Sequence, residues 1–196
     1  MRARSMFWLA LTCLAALVPG HALGQQAESA RAGFGLSLGL GGGSTGVTCD
    51  GCQVEVDDRE TGISGYLRMG GYTSNRFFVG VEGTGWMKND EGIERRIAAA
   101  SLVFVGYPSA SSGFFLRSGF GGMRAVIEDD FVSMTGTGIV WSAGAGFDIV
   151  LGTGAALTPY VTYLGGLETV AHINEVSTDI ILNPNILQMG LAITIQ

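Results

Sequence analysis

The sequence predicts an all-β protein, an eight-stranded antiparallel up-and-down transmembrane β-barrel that follows a cleaved signal peptide. Three observations support this prediction. Apolar residues alternate with small residues in most of eight segments, the composition is apolar and poor in charge, and short connections alternate with longer ones. Together these features are typical of a sheet that closes on itself in a lipid bilayer.

The first residues have the pattern of an export signal. Two arginines precede an unbroken apolar run over residues 6–18, and a Pro-Gly pair ends that run. Ala22 and Gly24 then supply the small residues that a signal peptidase requires. The run is too short for a spanning helix, which needs ~20 residues. We therefore predict a cleaved signal peptide at residues 1–24 and one barrel domain at residues 25–196.

The composition narrows the class of protein. Hydrophobic residues make up 47% of the chain and charged residues only 14%, whereas an ordinary soluble domain has about 25% charged residues. No apolar run after the leader is long enough for a helical span. In lipid every backbone N–H and C=O must be paired internally, which a closed barrel achieves. The net charge of −6 argues against a nucleic-acid partner, because no basic stripe is present.

The alternation of apolar residues has period two, as in a strand with two different faces. The first segment places apolar side chains at every second residue, at Phe34, Leu36, Leu38 and Leu40. The last segment repeats the pattern at Leu187, Met189, Leu191, Ile193 and Ile195. Similar alternation occurs at residues 63–72, 77–87, 114–123 and 139–149. Residues 96–107 and 157–167 are also apolar, but their pattern does not indicate which side chains face inward. Eight segments of about ten residues match the length of a tilted transmembrane strand.

The second face of these segments indicates which side meets lipid. A soluble ligand-binding barrel points its apolar face inward and exposes Lys, Glu and Asp. Here the second face carries mostly Gly, Ser, Ala and Thr, with isolated charges. Small residues fit the interior of a narrow eight-stranded barrel. We therefore predict that the apolar face points outward.

The connections alternate in predicted length. Short turns are expected at residues 73–76, 108–112 and 152–156, where turn-forming residues cluster. Longer loops are expected at residues 42–60, 88–94, 125–135 and 168–183. In outer-membrane barrels the short turns face the periplasm and the long loops face outward. An even number of strands also leaves both chain ends on the periplasmic side.

The chain resembles the small outer-membrane β-barrel superfamily, of the outer membrane protein A and X kind. The resemblance lies in residues 115–122 (FLRSGFGG), 144–150 (GAGFDIV), 157–161 (LTPYV) and the closing segment 187–196. It implies a location in the outer membrane, contact with outer-membrane lipid and lipopolysaccharide, and insertion by the barrel-assembly machinery. In one respect the chain departs from the family, because it ends on Ile195-Gln196 rather than on an aromatic residue.

Four charged residues fall on the inward face of the predicted strands. Arg68 and Glu82 lie at similar distances from the turn near Asn75, so hairpin pairing places them almost opposite each other. Arg117 and Asp148 also have the inward phase, each a few residues from a short turn. Charges in a narrow interior are costly unless they are paired. We predict that these four residues form a network that plugs the barrel; the alternative is a gate or an ion path.

Cys49 and Cys52 form a C-x-x-C pattern in the first long loop. Outside the cytoplasm this pattern fits a local disulfide, a redox motif or half of a metal site. A redox cysteine usually lies at a helix N-terminus, and no helix is indicated here. A zinc site needs two further ligands, and His172 is the only histidine left after cleavage. We predict a small disulfide that closes the loop tip.

The remaining residues indicate no enzyme. Acyl chemistry needs a nucleophile with a positioned base, and His172 has no such partner in the sequence pattern. We predict no cofactor and no metal site, and we expect a monomer. The acidic outer loops, with Glu55, Asp57 and Asp58 in the first, favour a structural or surface-interaction role. The alternative function is a narrow porin-like channel for small or hydrophobic solutes.

The disulfide prediction is tested by mass measurement after alkylation. We expect the folded mature protein to gain no adduct without reductant and two adducts after reduction, because Cys49 and Cys52 are its only cysteines once residues 1–24 are removed. Denaturation without reductant is the control for buried thiols. Two adducts on the unreduced, denatured protein would contradict the disulfide.

Overall fold

The computed structural model describes residues 31–50, 59–90, 93–128, 133–152, 154–173 and 176–196. These residues form one antiparallel sheet, and none of them belongs to a helix long and apolar enough to span a membrane. The strands are β1 (Gly33–Asp50), β2 (Glu60–Ser74), β3 (Phe77–Asp90), β4 (Ile93–Gly106), β5 (Phe114–Glu128), β6 (Ser133–Phe147), β7 (Ile149–Gly152), β8 (Ala155–Ile173) and β9 (Val176–Ile195).

The sheet closes into a barrel. Each strand from β1 to β5 pairs with the next, β8 pairs with β9, and β9 pairs with β1. The pairing of β6 with β8 completes the ring. Short β7 continues β6 beyond Asp148 and pairs with β8 in the same register. Because β6 and β7 together occupy one strand position, the nine strands fill eight positions in the wall, here called staves. The predicted eight-stranded up-and-down barrel is confirmed.

Closure sets the width and tilt of the barrel. Paired residues can be followed once around the wall from Leu36 to Gly46, which lies ten positions further along β1. The path runs through Met69, Val81, Leu102, Phe120, Trp141, Gly165 and Asn185. This offset of ten residues is the stagger of the closed sheet. With eight staves, it tilts the strands by ~40° and leaves an interior that side chains fill.

The predicted facing of the strands is confirmed. Large apolar side chains point outward over the whole wall; Leu102 and Leu191 are 58% and 55% exposed. Inward side chains are polar, small or aromatic, with a few aliphatic ones, and Thr162 and Gln188 are fully buried. An apolar exterior around a polar interior is the reverse of a water-soluble barrel. It is stable only where acyl chains surround the wall.

The predicted long loops are wrong in extent, whereas the short turns are confirmed. The predicted loop 168–183 is mostly strand, because β8 continues to Ile173 and β9 begins at Val176. The predicted loops 42–60, 88–94 and 125–135 are likewise shortened by strands that extend into them. The apolar alternation marks only the part of a strand that faces lipid. Beyond the bilayer the backbone ladder continues with polar side chains, which carry no such signal.

The outward apolar band gives a depth-dependent prediction. Leu102 lies midway between the turn after Gly106 and Arg96, whereas Met87 pairs with Arg96 at the upper edge of the band. We expect Leu102→Arg to lower the free energy of unfolding by ~2–4 kcal/mol and Met87→Arg by ~0–1 kcal/mol, because the cost of a charge falls toward the interface. Urea unfolding in lipid vesicles measures both. Equal losses would contradict this position of the band.

Candidate functional site in the barrel lumen

Charged side chains lie deep inside the barrel. Among the described residues, five charged side chains are at least 95% buried, and they are Arg31, Arg68, Glu82, Arg117 and Asp148. Four of them are the residues that the sequence places on the inward face, and Arg31 is an addition. Because each charge would cost several kcal/mol if left unpaired in this interior, their contacts define the candidate site.

The central charge cluster consists of Arg68 on β2, Glu82 on β3 and Arg117 on β5. Arg117 Nη2 donates to Glu82 Oε1 in an ion pair whose side chains are 99% buried. Thr84 Oγ1 donates to the same carboxylate oxygen over 3.1 Å. The Glu82–Arg117 contact therefore joins two strands that are not neighbours in the sheet, and it crosses part of the lumen.

Arg68 lies opposite Glu82 in the β2–β3 register, as the hairpin geometry predicts. Its guanidinium nevertheless packs against aromatic rings, with its central carbon 5.3 Å from the ring centre of Tyr66, 5.7 Å from Phe78 and 5.6 Å from Phe115. These are cation–π contacts. Arg68 makes no ion pair with any described carboxylate, and its Nη1 is buried without a partner among the described residues.

Glycine makes room for these rings. A side chain at Gly39 would collide with Tyr66, since a Cβ there would lie 2.8 Å from the Cδ1 atom of that ring. A Cβ at Gly146 would similarly lie 2.9 Å from Cε1 of Phe115. Inward glycines therefore give space for large side chains from other strands, as expected where a strand is closely approached. The rings in turn surround the Arg68 guanidinium.

The periplasmic charge cluster is centred on Asp148, in the break between β6 and β7. Tyr107 Oη donates to Asp148 Oδ2 over 2.8 Å, and Thr158 Oγ1 donates to Oδ1 over 2.7 Å. Arg31 Nη2 lies 3.9 Å from Oδ2, and Gln196 Nε2 lies 3.4 Å from it. Burial, reinforced by the charge of Asp148, raises the pKa of Tyr107 well above its ordinary value. Tyr107 is therefore a neutral donor at physiological pH.

Arg31 connects the segment before β1 to the turn between β4 and β5, across the periplasmic end of the barrel. Its Nη1 donates to the carbonyl of Ala110 over 3.2 Å, and its Nη2 donates to that of Ser112 over 2.7 Å. Its guanidinium also stacks over the ring of Tyr107 at 3.6 Å. This residue was not expected from the sequence, because it precedes the alternating pattern. The signal was present, since Arg31 shares the odd-numbered inward phase of Gly35 and Ser37.

The predicted four-residue network is therefore divided into two clusters. Glu82 pairs with Arg117, but the described ion pair of Asp148 is with Arg31 rather than with Arg117. The break at Asp148 explains the difference. Its backbone N–H donates to the carbonyl of Gly113 over 2.9 Å, outside the regular ladder, which holds the residue at the periplasmic end.

An apolar layer fills the lumen toward the extracellular end. It consists of Trp86, Ile97, Ala99, Met123, Val140, Leu164 and Ile186, each no more than 9% exposed. Trp86 Nε1 donates to the carbonyl of Gly43 over 2.9 Å, which fixes the indole across the interior. This layer was not anticipated, because the alternation indicated a uniformly small and polar interior.

A cavity of about 410 Å³ lies at the extracellular mouth, above the apolar layer. Its lining includes Trp86, Ile97, Met134 and Pro184, and the hydroxyl of Thr169 is buried there without a partner among the described residues. At the rim, Arg95 pairs with Glu60, and Arg96 pairs with Glu128 at 2.6 Å and with Glu94 at 3.2 Å. The mouth is therefore apolar inside and bordered by mutually neutralising charges.

The cysteine prediction lies at the margin of what the structure describes. Cys49 belongs to the end of β1, and Cys52 lies outside the described residues. The disulfide therefore stays a prediction, as does the signal peptide at residues 1–24, which is also outside them. Within the described ranges, no group of His, Cys, Asp and Glu is arranged to hold a metal ion.

Comparison with solved structures identifies the same architecture. Neisserial surface protein A is 12% identical, with 83% of this chain and 96% of that chain covered and a TM-score of 0.58. Ail of Yersinia pestis is 14% identical, with 82% and 99% covered and a TM-score of 0.51. OprG of Pseudomonas aeruginosa is 12% identical, with 86% and 99% covered and a TM-score of 0.50. No protein-family model and no curated protein matches the chain.

The closed ring of eight antiparallel staves is the fold of the small outer-membrane β-barrels that these matches represent. The outward apolar wall of this chain is covered by acyl chains, which indicates contact with membrane lipid. At identities of 12–14% the matches establish the fold alone.

The central charge cluster predicts unequal effects for its two paired residues. Glu82→Gln leaves two buried guanidiniums without a carboxylate, and we expect a loss of ~3–5 kcal/mol in the free energy of unfolding. Arg117→Met should cost less, because Arg68 lies opposite Glu82 and replaces the lost partner. Urea unfolding followed by tryptophan fluorescence measures both variants. An equal or larger loss for Arg117→Met would contradict the exchange of partners.

Proposed function

We propose that this protein is a non-conducting outer-membrane barrel with a structural or surface-interaction role. The single observation that carries the proposal is that side chains fill the lumen at three successive levels. The periplasmic charge cluster lies at one end, the Glu82–Arg117 pair lies in the middle, and the apolar layer around Trp86 lies toward the other end. A barrel filled in this way acts at its surface rather than through its axis.

The middle of the lumen supports the proposal most directly. Thr158, Thr162 and Gln188 are completely buried, so the middle of the lumen has no opening to either end at these residues. Both side chains of the Glu82–Arg117 pair are 99% buried. A solute on the axis would have to break this pair and strip both charges of their partners, which costs several kcal/mol. The charges therefore favour a plug over an ion path.

The extracellular end supplies the surface for the proposed role. Strands β8 and β9 are 19 and 20 residues long, about twice the length that crosses a bilayer. Their outer portions form a wall that stands above the membrane. The residues at 55, 57 and 58, with Glu128 on β5, make this end acidic in the sequence. A cationic partner, or divalent ions shared with anionic lipid head groups, fits that charge.

Two of the similar structures are described as a surface protein and an attachment invasion locus protein. Ail has also been crystallised with the heparin analogue sucrose octasulfate. A surface role for the present chain agrees with these descriptions. A polyanionic partner does not fit it, because the acidic residues of its outer end would repel sulfates. The proposal includes no catalytic activity.

The mouth cavity favours a second candidate function, entry of small hydrophobic solutes. Its volume of about 410 Å³ lies within the range of small-molecule sites. Its apolar lining suits a hydrophobic body, and the unpartnered Thr169 hydroxyl suits one polar group. The apolar layer below the cavity would then be a gate, whereas under the first proposal it is a permanent floor.

Planar-bilayer recording tests whether ions pass along the axis of the barrel. We expect the purified barrel to produce no steady single-channel steps, because charged and apolar layers close its axis. A known conducting porin in the same lipid serves as the control for insertion and detection. Reproducible steps at constant voltage would overturn the sealed-lumen proposal. If vesicles containing the silent protein admit an apolar dye faster than empty vesicles, the solute-entry function is supported instead.

A further inference from the structure

The buried charges of the lumen do not balance. The described residues that are both charged and at least 95% buried comprise three arginines, Arg31, Arg68 and Arg117, and two carboxylates, Glu82 and Asp148. One positive charge is therefore in excess. An arginine cannot remove the excess by losing its proton, because its guanidinium stays protonated in proteins. The interior needs a negative charge that these side chains do not supply.

The excess belongs to the central charge cluster. Arg31 and Asp148 neutralise each other at the periplasmic end, whereas Arg68 and Arg117 share the single carboxylate of Glu82. Arg117 takes that carboxylate, and Arg68 Nη1 has no partner among the described residues. Even if Arg68 rotated onto the unpartnered Oε2 atom of Glu82, two guanidiniums would share one carboxylate. The imbalance therefore does not depend on the rotamer of either arginine.

A small polar cavity lies beside the unpaired arginine. It has a volume of about 10 Å³, and its lining includes Arg68, Ser37, Tyr72, Tyr107 and Thr194. Four of these five side chains carry hydroxyl groups, but those of Ser37, Tyr107 and Thr194 already exchange hydrogen bonds with other residues. The Arg68 guanidinium therefore supplies the donor at the cavity. Room of about this size holds one particle comparable to a water molecule. Burial raises the pKa of Tyr107, so this phenol does not supply the missing charge as a phenolate.

We propose that one small monovalent anion, chloride under physiological conditions, occupies this cavity against the Arg68 guanidinium. The anion accepts a hydrogen bond from Arg68 and neutralises the excess charge of the central charge cluster. A water molecule would satisfy the hydrogen bond but not the charge. Sulfate and phosphate are too large for the space and carry more charge than is needed. The site is independent of whether the barrel conducts, so it stands or falls separately from the sealed-lumen proposal.

Crystallography with bromide tests the location. Crystals of the detergent-folded barrel are grown in sodium bromide, and anomalous scattering is recorded at the bromine edge. We expect a bromide peak at hydrogen-bonding distance from Arg68, inside the wall and away from the rim arginines. A site that contains only density without anomalous signal, as a water molecule gives, would overturn the proposal. Bromide peaks at the rim arginines without a peak in the lumen would show an adventitious ion only, and would also overturn the proposal.

Unfolding in different salts tests the binding in solution. The barrel is refolded and its urea transition is followed in sodium chloride, bromide or gluconate at equal ionic strength, so that general screening is constant. We expect chloride and bromide to raise the ratio of folded to unfolded protein by ~10–100-fold relative to gluconate, since a ligand stabilises only the state that binds it. Equal midpoints in the three salts would contradict the site.

Variants show whether the effect belongs to the excess charge. Arg68→Met removes the proposed ligand, and the halide dependence should disappear. Arg117→Met also brings the central charge cluster to neutrality and should abolish it, which keeps the test valid if Arg68→Met fails to fold. Arg95→Met is the matched control, because Arg95 pairs with Glu60 at the rim and lies outside the cavity. A halide effect that persists in both lumen variants, or disappears in the rim variant, would overturn the proposal.

Discussion

The pairing of backbone N–H and C=O groups inside hydrocarbon is the constraint on which the structure depends. A sheet with a free edge would leave a row of these groups without partners in the bilayer, so the β6–β8 and β1–β9 pairings are required as well as observed. Closure over eight staves with a stagger of ten residues then limits the lumen to a width that side chains fill. Inward glycines such as Gly39 give space for rings from other strands.

The narrow lumen explains why its charges are arranged in clusters. A buried charge is costly unless it is compensated, and the charges here contact an opposite charge, aromatic faces or hydroxyl groups. The two clusters also join parts of the chain that the ladder does not. Glu82 links β3 to β5, and Arg31 links the start of the chain to the turn before β5. The buried polar side chains therefore connect distant parts of the chain as well as filling the lumen.

Under the proposed non-conducting role, the function of the barrel lies at its ends. The extracellular end has strands longer than the bilayer requires, a rim of paired charges and an apolar cavity above Trp86. The periplasmic end holds Arg31, Asp148 and Gln196, which lie before β1, in the β6–β7 break and after β9. The asymmetry between a compact, tied end and a wide, open mouth favours activity on the outer side of the membrane.

The sequence by itself determined the number of staves, the facing of six of the eight segments, the short turns and the inward position of four charged residues. These depend on period-two alternation and on turn residues, which are local properties. Only the tertiary structure decided how far the strands extend, that Arg117 pairs with Glu82 rather than with Asp148, and that Arg31 and an apolar layer close the lumen. The physical reason is that local alternation decides which side of the wall a residue faces. The stagger of the closed sheet decides which inward residues meet across the axis.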